Sequence, residues 1–147
     1  MKISILLPYK ENFSPTYPGA VSLFINETTQ ISKYKKNIKV YGSTEYKNKF
    51  KPNYVNIDLS KRGIGSQTRE YIKKFIIFEK KNPSDLIEIH NRPNYLKYLD
   101  EKLNVRNFIL FFHNDPLSMD GSKTTEEREY LLRKCHRIIF NSNWSKN

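Results

Sequence analysis

Two segments of this chain end an apolar run in side chains that could do chemistry. In "FILFFHNDPLSMDG", Phe108 to Gly121, five consecutive apolar residues break into His113, Asn114 and Asp115 before Pro116. In "EIHNRP", Glu88 to Pro93, a second apolar stretch ends with Glu88, His90, Asn91 and Arg92 close together. An imidazole can hydrogen-bond a hydroxyl or act as a base near neutral pH, and a nearby carboxylate can hold its tautomer. An arginine can fork onto a carboxylate or a phosphate. Plainer roles stand beside these: Asn114 and Asp115 as an Asx turn ahead of Pro116, and Asn91 as the cap of a following helix. His90, His113 and Asp115 are acceptable metal ligands, but nothing in their spacing demands a metal.

Two glycine-bearing segments are candidates for anion binding. "PYKENFSPTYPGA" sets Gly19 directly before an expected helix, where a backbone without a Cβ can approach a phosphate and helix amides can receive it. A plain turn explains it equally well, and the three-glycine dinucleotide fingerprint is absent. "KRGIGSQTRE" holds Gly63, Gly65, Ser66 and Arg69, which reads either as an anion cradle or as a loop with Ser66 capping the next helix.

The elements that must position these residues follow from hydrophobic period. Lys2 to Leu7 is a short run rich in β-branched residues and bounded by Pro8, as in a strand buried on both faces. Val21, Phe24, Ile25, Thr28 and Ile31 recur at spacings of three and four, the stripe of an amphipathic helix. "NIKVYG" and "YVNIDL" read as strands. A helix is expected from about Ser66 to Lys80, with Tyr71, Ile72, Phe75, Ile76 and Glu79 along one stripe. "DLIEIH" is strand, and a helix from about Pro93 to Leu103 follows, with Leu96, Leu99 and Leu103 on a common face. "NFILFF" is the most apolar strand and is expected at the centre of the sheet. Thr124 and Glu127 form a capping-box pattern, with acidic residues at that helix's start and basic ones at its end. "RIIFNS" is a last strand, and "NWSKN" is expected to open another helix.

Strands separated by helices imply right-handed crossovers and a mostly parallel sheet with helices on both faces, a doubly wound, Rossmann-like α/β domain. Ligands of such sheets bind outside the carboxyl ends of the strands, near the point where strand order reverses. Each polar cluster above follows a strand, so Gly19, His90, Arg92, His113 and Asp115 are expected on one rim.

Length and composition bound the rest. With 147 residues the chain has room for one domain with a real core, and 37% hydrophobic with 14% aromatic residues is a globular composition. The single cysteine, Cys135, excludes an internal disulfide, and no spacing points to zinc. The opening "MKISILLPY" is too short for a signal peptide's apolar region or a membrane span, so a cytoplasmic protein is expected. A formal charge of +11 favours contact with something anionic, or reflects only a composition rich in Lys, Asn, Ile and Tyr. The basic residues form no nucleic-acid-binding motif, so no specific nucleic acid is expected.

In order along the chain, "ISILLPY…PGAV", "IEIHNRPNYLKYL", the contiguous run from Phe111 to Cys135 that begins "FFHNDPLSMDG", and "IIFNSNWSK" resemble the N-terminal domain of retaining family 4 glycosyltransferases of the GT-B fold. The likeness is to the lipopolysaccharide, capsule and spore-coat type, and it spans residues 1–147. Where that family carries paired glycines before the first helix, this chain has Pro18-Gly19.

The resemblance implies an acceptor-side Rossmann-like domain facing, across a cleft, a second domain that holds the donor nucleotide. It implies transfer of a glycosyl group from a nucleotide sugar to a hydroxyl of a lipid-linked or polysaccharide acceptor, with retention, no cofactor and no metal. It places Gly19 near the donor phosphates and His113, the expected catalytic residue, against the hydroxyls of the transferred sugar, with Asn114 and Asp115 beside it. His90, Asn91 and Arg92 are implied to line the acceptor side of the cleft. The nucleotide-binding domain is not within these residues, so the chain alone is expected to be inactive. A cytoplasmic place, peripheral on the inner face of an anionic membrane, follows from the acceptor type. The reading from another class is a stand-alone Rossmann-like module that binds a nucleotide or an anionic saccharide without catalysis. A third is a basic protein that sits on acidic membrane or nucleic acid through charge.

Overall fold

The short β-branched runs form strands and the amphipathic stretches form helices, alternating along the chain except that the strand Tyr54–Asn56 is the next element after the strand Ile38–Gly42. In the computed structural model, which describes residues 1–51, 53–59, 65–104 and 107–143, the chain runs β1 (Ile3–Leu6), α1 (Ala20–Ile31), β2 (Ile38–Gly42), β3 (Tyr54–Asn56), α2 (Gln67–Lys81), β4 (Leu86–His90), α3 (Tyr95–Lys102), β5 (Phe108–Phe112), α4 (Thr125–Lys134) and β6 (Cys135–Phe140). The six strands lie in the order β3-β2-β1-β4-β5-β6, and every pairing is parallel. This is the Rossmann-like doubly wound sheet the alternation implies, and its order reverses between β1 and β4. The expected helix at "NWSKN", with Trp144, and the glycine Gly63 lie outside the described residues.

Two apolar clusters sit on opposite faces. Val21 and Ile25 of α1 pack on Ile3, Ile5, Ile38 and Val40. Tyr71 and Phe75 of α2, Leu96 and Leu99 of α3 and Leu131 of α4 pack on Leu6, Ile87, Ile89, Phe108 and Leu110. Each such side chain contributes about 1.5–3 kcal/mol when removed from water. Glu79, also on the inner stripe of α2, is buried but not alone: Oε1 accepts from Ser4 Oγ, and Oε2 accepts from Ser84 N at 3.1 Å and from Ser84 Oγ at 2.7 Å. A buried carboxylate with such partners ties the end of α2 to β1.

Three expectations are corrected. β5 is not central; β1 and β4 are, and β5 lies next to the edge strand β6. Its apolarity misleads because only Phe108, Leu110 and Phe112 are fully buried, whereas Ile109 and Phe111, on the face of α1, are half-buried. The buried stripe of α1 is Val21, Ser22, Ile25 and Thr29, which leaves Phe24, Thr28 and Ile31 exposed. Apolar spacing alone did not fix which way the helix turned, because Ser22 and Thr29 are small enough to lie against the sheet. α3 begins at Tyr95, since Pro93 is spent in the turn that leaves β4. The capping box forms as read: Thr124 Oγ1 accepts from Glu127 N at 3.1 Å, and Glu127 Oε2 accepts from Thr124 N at 3.0 Å.

Candidate functional site

Because β1, β4 and β5 are adjacent and parallel, the loops that follow them leave the sheet at one edge. Tyrosines fix where these loops go. The buried Tyr71 of α2 donates to Leu7 O at 2.7 Å, and Tyr95 Oη of α3 accepts from Tyr9 N at 2.9 Å, so both helices grip the chain as it leaves β1.

Side chains two apart on a strand share a face. Glu88 and His90 therefore point to the same side of β4, and Phe111 and His113 to the same side at the end of β5, the side of α1. The His90 ring stacks on Phe111 with centroids 4.5 Å apart, and Phe24 of α1 meets the His113 ring edge-on at 5.1 Å. His90 Nδ1 lies 3.0 Å from His113 Nε2. On its other side, His90 Nε2 is buried without a hydrogen-bond partner, and Glu88 Oε2 stands 3.5 Å away. His90 is only 1% exposed, so it does not line an open cleft as the resemblance implied; strand alternation turns it inward, behind His113. His113 is half-buried. Burial, and next the neighbouring His90, push its pKa down from 6.5 to about 4, so the ring is neutral at physiological pH.

The backbone of His113 is gripped by side chains. Asn91 takes the left-handed conformation, φ 54°, which asparagine tolerates better than most residues. That turn brings its Oδ1 to accept from His113 N at 2.7 Å and from Asn114 N at 3.3 Å. Asn141, after β6, donates through Nδ2 to His113 O at 2.7 Å. Asn91 is thus a bracket between two loops and does not cap α3, whose N-cap is Asn94. Asn114 is exposed. Asp115 takes its plainer role: Oδ1 accepts from Leu117 N at 3.0 Å and closes the turn at Pro116–Ser118.

Arg92 faces away from the histidines. Its Nη1 donates to Asn91 O at 2.7 Å, and the side chain lines a cleft of about 430 Å³ with Tyr9, Thr68, Asn94, Tyr95 and Asp120. Asn91 also borders this cleft, so it joins the cleft to the histidine side. The outer wall is held close by Gly121, at φ 97°: a Cβ there would lie 2.5 Å from Asn94 N. Of His90, Asn91 and Arg92, the last two border this cleft, whereas His90 is buried away from it.

Gly19 begins α1 on the same edge, but the space its missing side chain leaves is taken by the chain itself. A Cβ on Gly19 would collide with the carboxylate of Glu11, whose Oε1 accepts from Ser22 N at 3.0 Å. An internal carboxylate thus occupies the helix N-terminus, where an anion is favoured. Ser66 caps α2 by accepting from Arg69 N at 3.4 Å, the plainer of its two expected roles.

Among the described residues no group of three or more His, Cys, Asp or Glu side chains could hold a metal ion. His90 and His113 spend facing nitrogens on each other, and Asp115 is committed to its turn. Burial pushes the Cys135 thiol up to about 12, which leaves no thiolate for nucleophilic chemistry. Sequence reasoning missed Phe24, Glu11 and Asn141. Phe24 was assigned to the core stripe. Asn141 lies in "IIFNSNWSK", where no local spacing points to His113, and no local signal links Glu11 to Gly19. Among the described residues no helix is long and apolar enough to cross a membrane. Comparison with protein-family models, curated proteins and solved structures returns no match.

Proposed function

We propose that this chain is the acceptor-side domain of a retaining GT-B glycosyltransferase, one that moves a sugar from a nucleotide sugar to a hydroxyl of a lipid-linked or cell-surface polysaccharide acceptor. The observation that carries the reading is the rim at the strand-order reversal: a neutral His113, its backbone gripped at both N–H and C=O, beside a polar cleft bearing Arg92. A neutral imidazole suits a sugar hydroxyl better than a phosphate, which would draw a cation. Arg92 suits an acidic or phosphorylated acceptor. The formal charge of +11 suits a domain that works against an anionic membrane surface.

In this reading the nucleotide belongs to a second domain. The α1 terminus offers it little, because Glu11 already fills the place a phosphate would take. The test is a transfer assay on the protein encoded by the complete reading frame that contains this chain, with UDP-, GDP- and ADP-sugars and lipid and polysaccharide extracts as acceptors. Glycosyl transfer with the anomeric configuration retained supports the proposal. Hydrolysis or transfer with no donor overturns it. Calorimetry of the chain alone with the same donors separates the other reading: tight binding without turnover marks a stand-alone binding module.

A further inference from the structure

Two ring nitrogens in contact need one proton between them, so the 3.0 Å approach of His90 Nδ1 to His113 Nε2 makes one the donor and the other the acceptor. The distances alone leave two orders possible. The environment of the remaining nitrogen of His90 chooses between them. His90 Nε2 is buried, has no hydrogen-bond partner, and has Glu88 Oε2 at 3.5 Å. A lone pair there would face a carboxylate across a dry gap, and a proton there is drawn toward it. The ring proton of His90 is therefore drawn to Nε2, and Nδ1 is left as an acceptor.

We propose that Glu88 and His90 are positioning residues that fix the tautomer of His113: Nε2–H donates to His90 Nδ1, and His113 Nδ1 is presented as a hydrogen-bond acceptor for a ligand O–H group. Carboxylates and carbonyls behind a histidine fix its tautomer in this way in many sites. His113 Nδ1 has no partner among the described residues, and the ring is only half-buried, so a ligand can reach it. The order of the chain sets what the ligand must be. A hydroxyl that donates fits, whereas a group with only acceptor oxygens, such as a fully ionised phosphate, meets a lone pair. The sugar hydroxyl as partner rests on the glycosyltransferase reading; the tautomer order follows from the three side chains alone.

Phe111 makes the order matter by stacking on the buried His90, so no water reaches His90 Nε2 to satisfy the other tautomer. Both carriers of the relay lie on β4, with alternating Ile87 and Ile89 buried on the opposite face, so their directions are set by the pleat and not by loop geometry.

Long-range proton–nitrogen NMR of the nitrogen-15-labelled chain near neutral pH reads the tautomer of each ring directly. The expected spectrum has His90 and His113 both protonated on Nε2, with Nδ1 of each in the unprotonated range. In Glu88→Ala and Glu88→Gln the bias is removed, and at least about a tenth of His113 should appear as the other tautomer, a loss of roughly tenfold preference or about 1.4 kcal/mol. Wild-type His113 protonated on Nδ1 overturns the proposal whatever the variants do. So does an unchanged tautomer ratio in both variants, provided their remaining amide signals match the wild type. Since no transfer activity is measured, failure here leaves the glycosyltransferase reading standing, and loss of that reading leaves the tautomer intact.

Discussion

The N-terminus of α1 and the ends of β4 and β5 lie on the same edge of one sheet, yet they stand in opposite states. At α1 the chain answers its own demand: Gly19 leaves room, Glu11 fills it, and Ser22 N is satisfied. At β4 and β5 the backbone is fully held while side-chain capacity is left over, on His113 Nδ1 and in the cleft beside Arg92. A polar group already paired must lose its partner before it can serve a ligand, and that loss costs about as much as the new bond gains. A polar group held in place but unspent has no such cost. The difference teaches that a glycine before a helix is weaker evidence for a site than a side chain whose backbone is fixed and whose tip is free.

The largest effect on this contrast should come from Asn91. Asn91→Ala leaves two backbone N–H groups without an acceptor and puts a residue less tolerant of positive φ at 54°. A loss of about 2–4 kcal/mol in unfolding free energy by urea titration is expected. Asn91→Gly keeps the backbone conformation and should lose less, so an equal loss in both would show that the two hydrogen bonds carry all of it.

Glu11→Ala sharpens the contrast from the other side. It removes a carboxylate from a helix N-terminus and should cost about 0.5–2 kcal/mol, with the His113 amide signal unmoved. If the variant is as stable as wild type, the α1 terminus is not self-satisfied and the comparison fails.

The smallest effect is on pH dependence. The His113 pKa is lower folded, about 4, than its usual 6.5, so the unfolded chain takes up a proton first as pH falls. Stability should therefore drop between about pH 6.5 and about pH 4, and be unaffected by this group at higher pH. The groups packed on the ring are His90 with Glu88 behind it on β4, and the uncharged Phe24 of α1. In His113→Asn, thermal unfolding midpoints should fall less steeply over that window. Parallel curves for variant and wild type would show that the ring is protonated as readily folded as unfolded. The effect is small because the ring is half exposed and water screens its surroundings.

What the sequence disclosed and what it hid divide by range. The capping box at Thr124 and Glu127 and the cap at Ser66 depend on residues three apart, and both were readable. The parallel sheet was readable because βα alternation permits little else. The place of β5 was not, since strand order is decided by where crossovers land and not by how apolar a strand is. The burial of His90 was within reach: alternation from Ile87 and Ile89 puts Glu88 and His90 on the second face, but the polarity of "EIHNRP" drew the reading toward solvent. The partnership of Glu11 with Gly19 was out of reach, because it depends on a loop of irregular backbone folding back onto its own helix.

The central claim is that His113 is held by the structure for use by a ligand. Under the proposed glycosyltransferase reading, the most direct test is the turnover of His113→Ala in the transfer assay, measured alongside its thermal stability and donor affinity. A hydrogen bond that strengthens as the anomeric bond breaks acts on the transition state more than on the ground state. Turnover should fall by roughly ten- to a thousandfold, about 1.4–4 kcal/mol, with much smaller changes in stability and donor affinity. Wild-type turnover in the variant, or unfolding of it, would make His113 a structural residue and contradict the account.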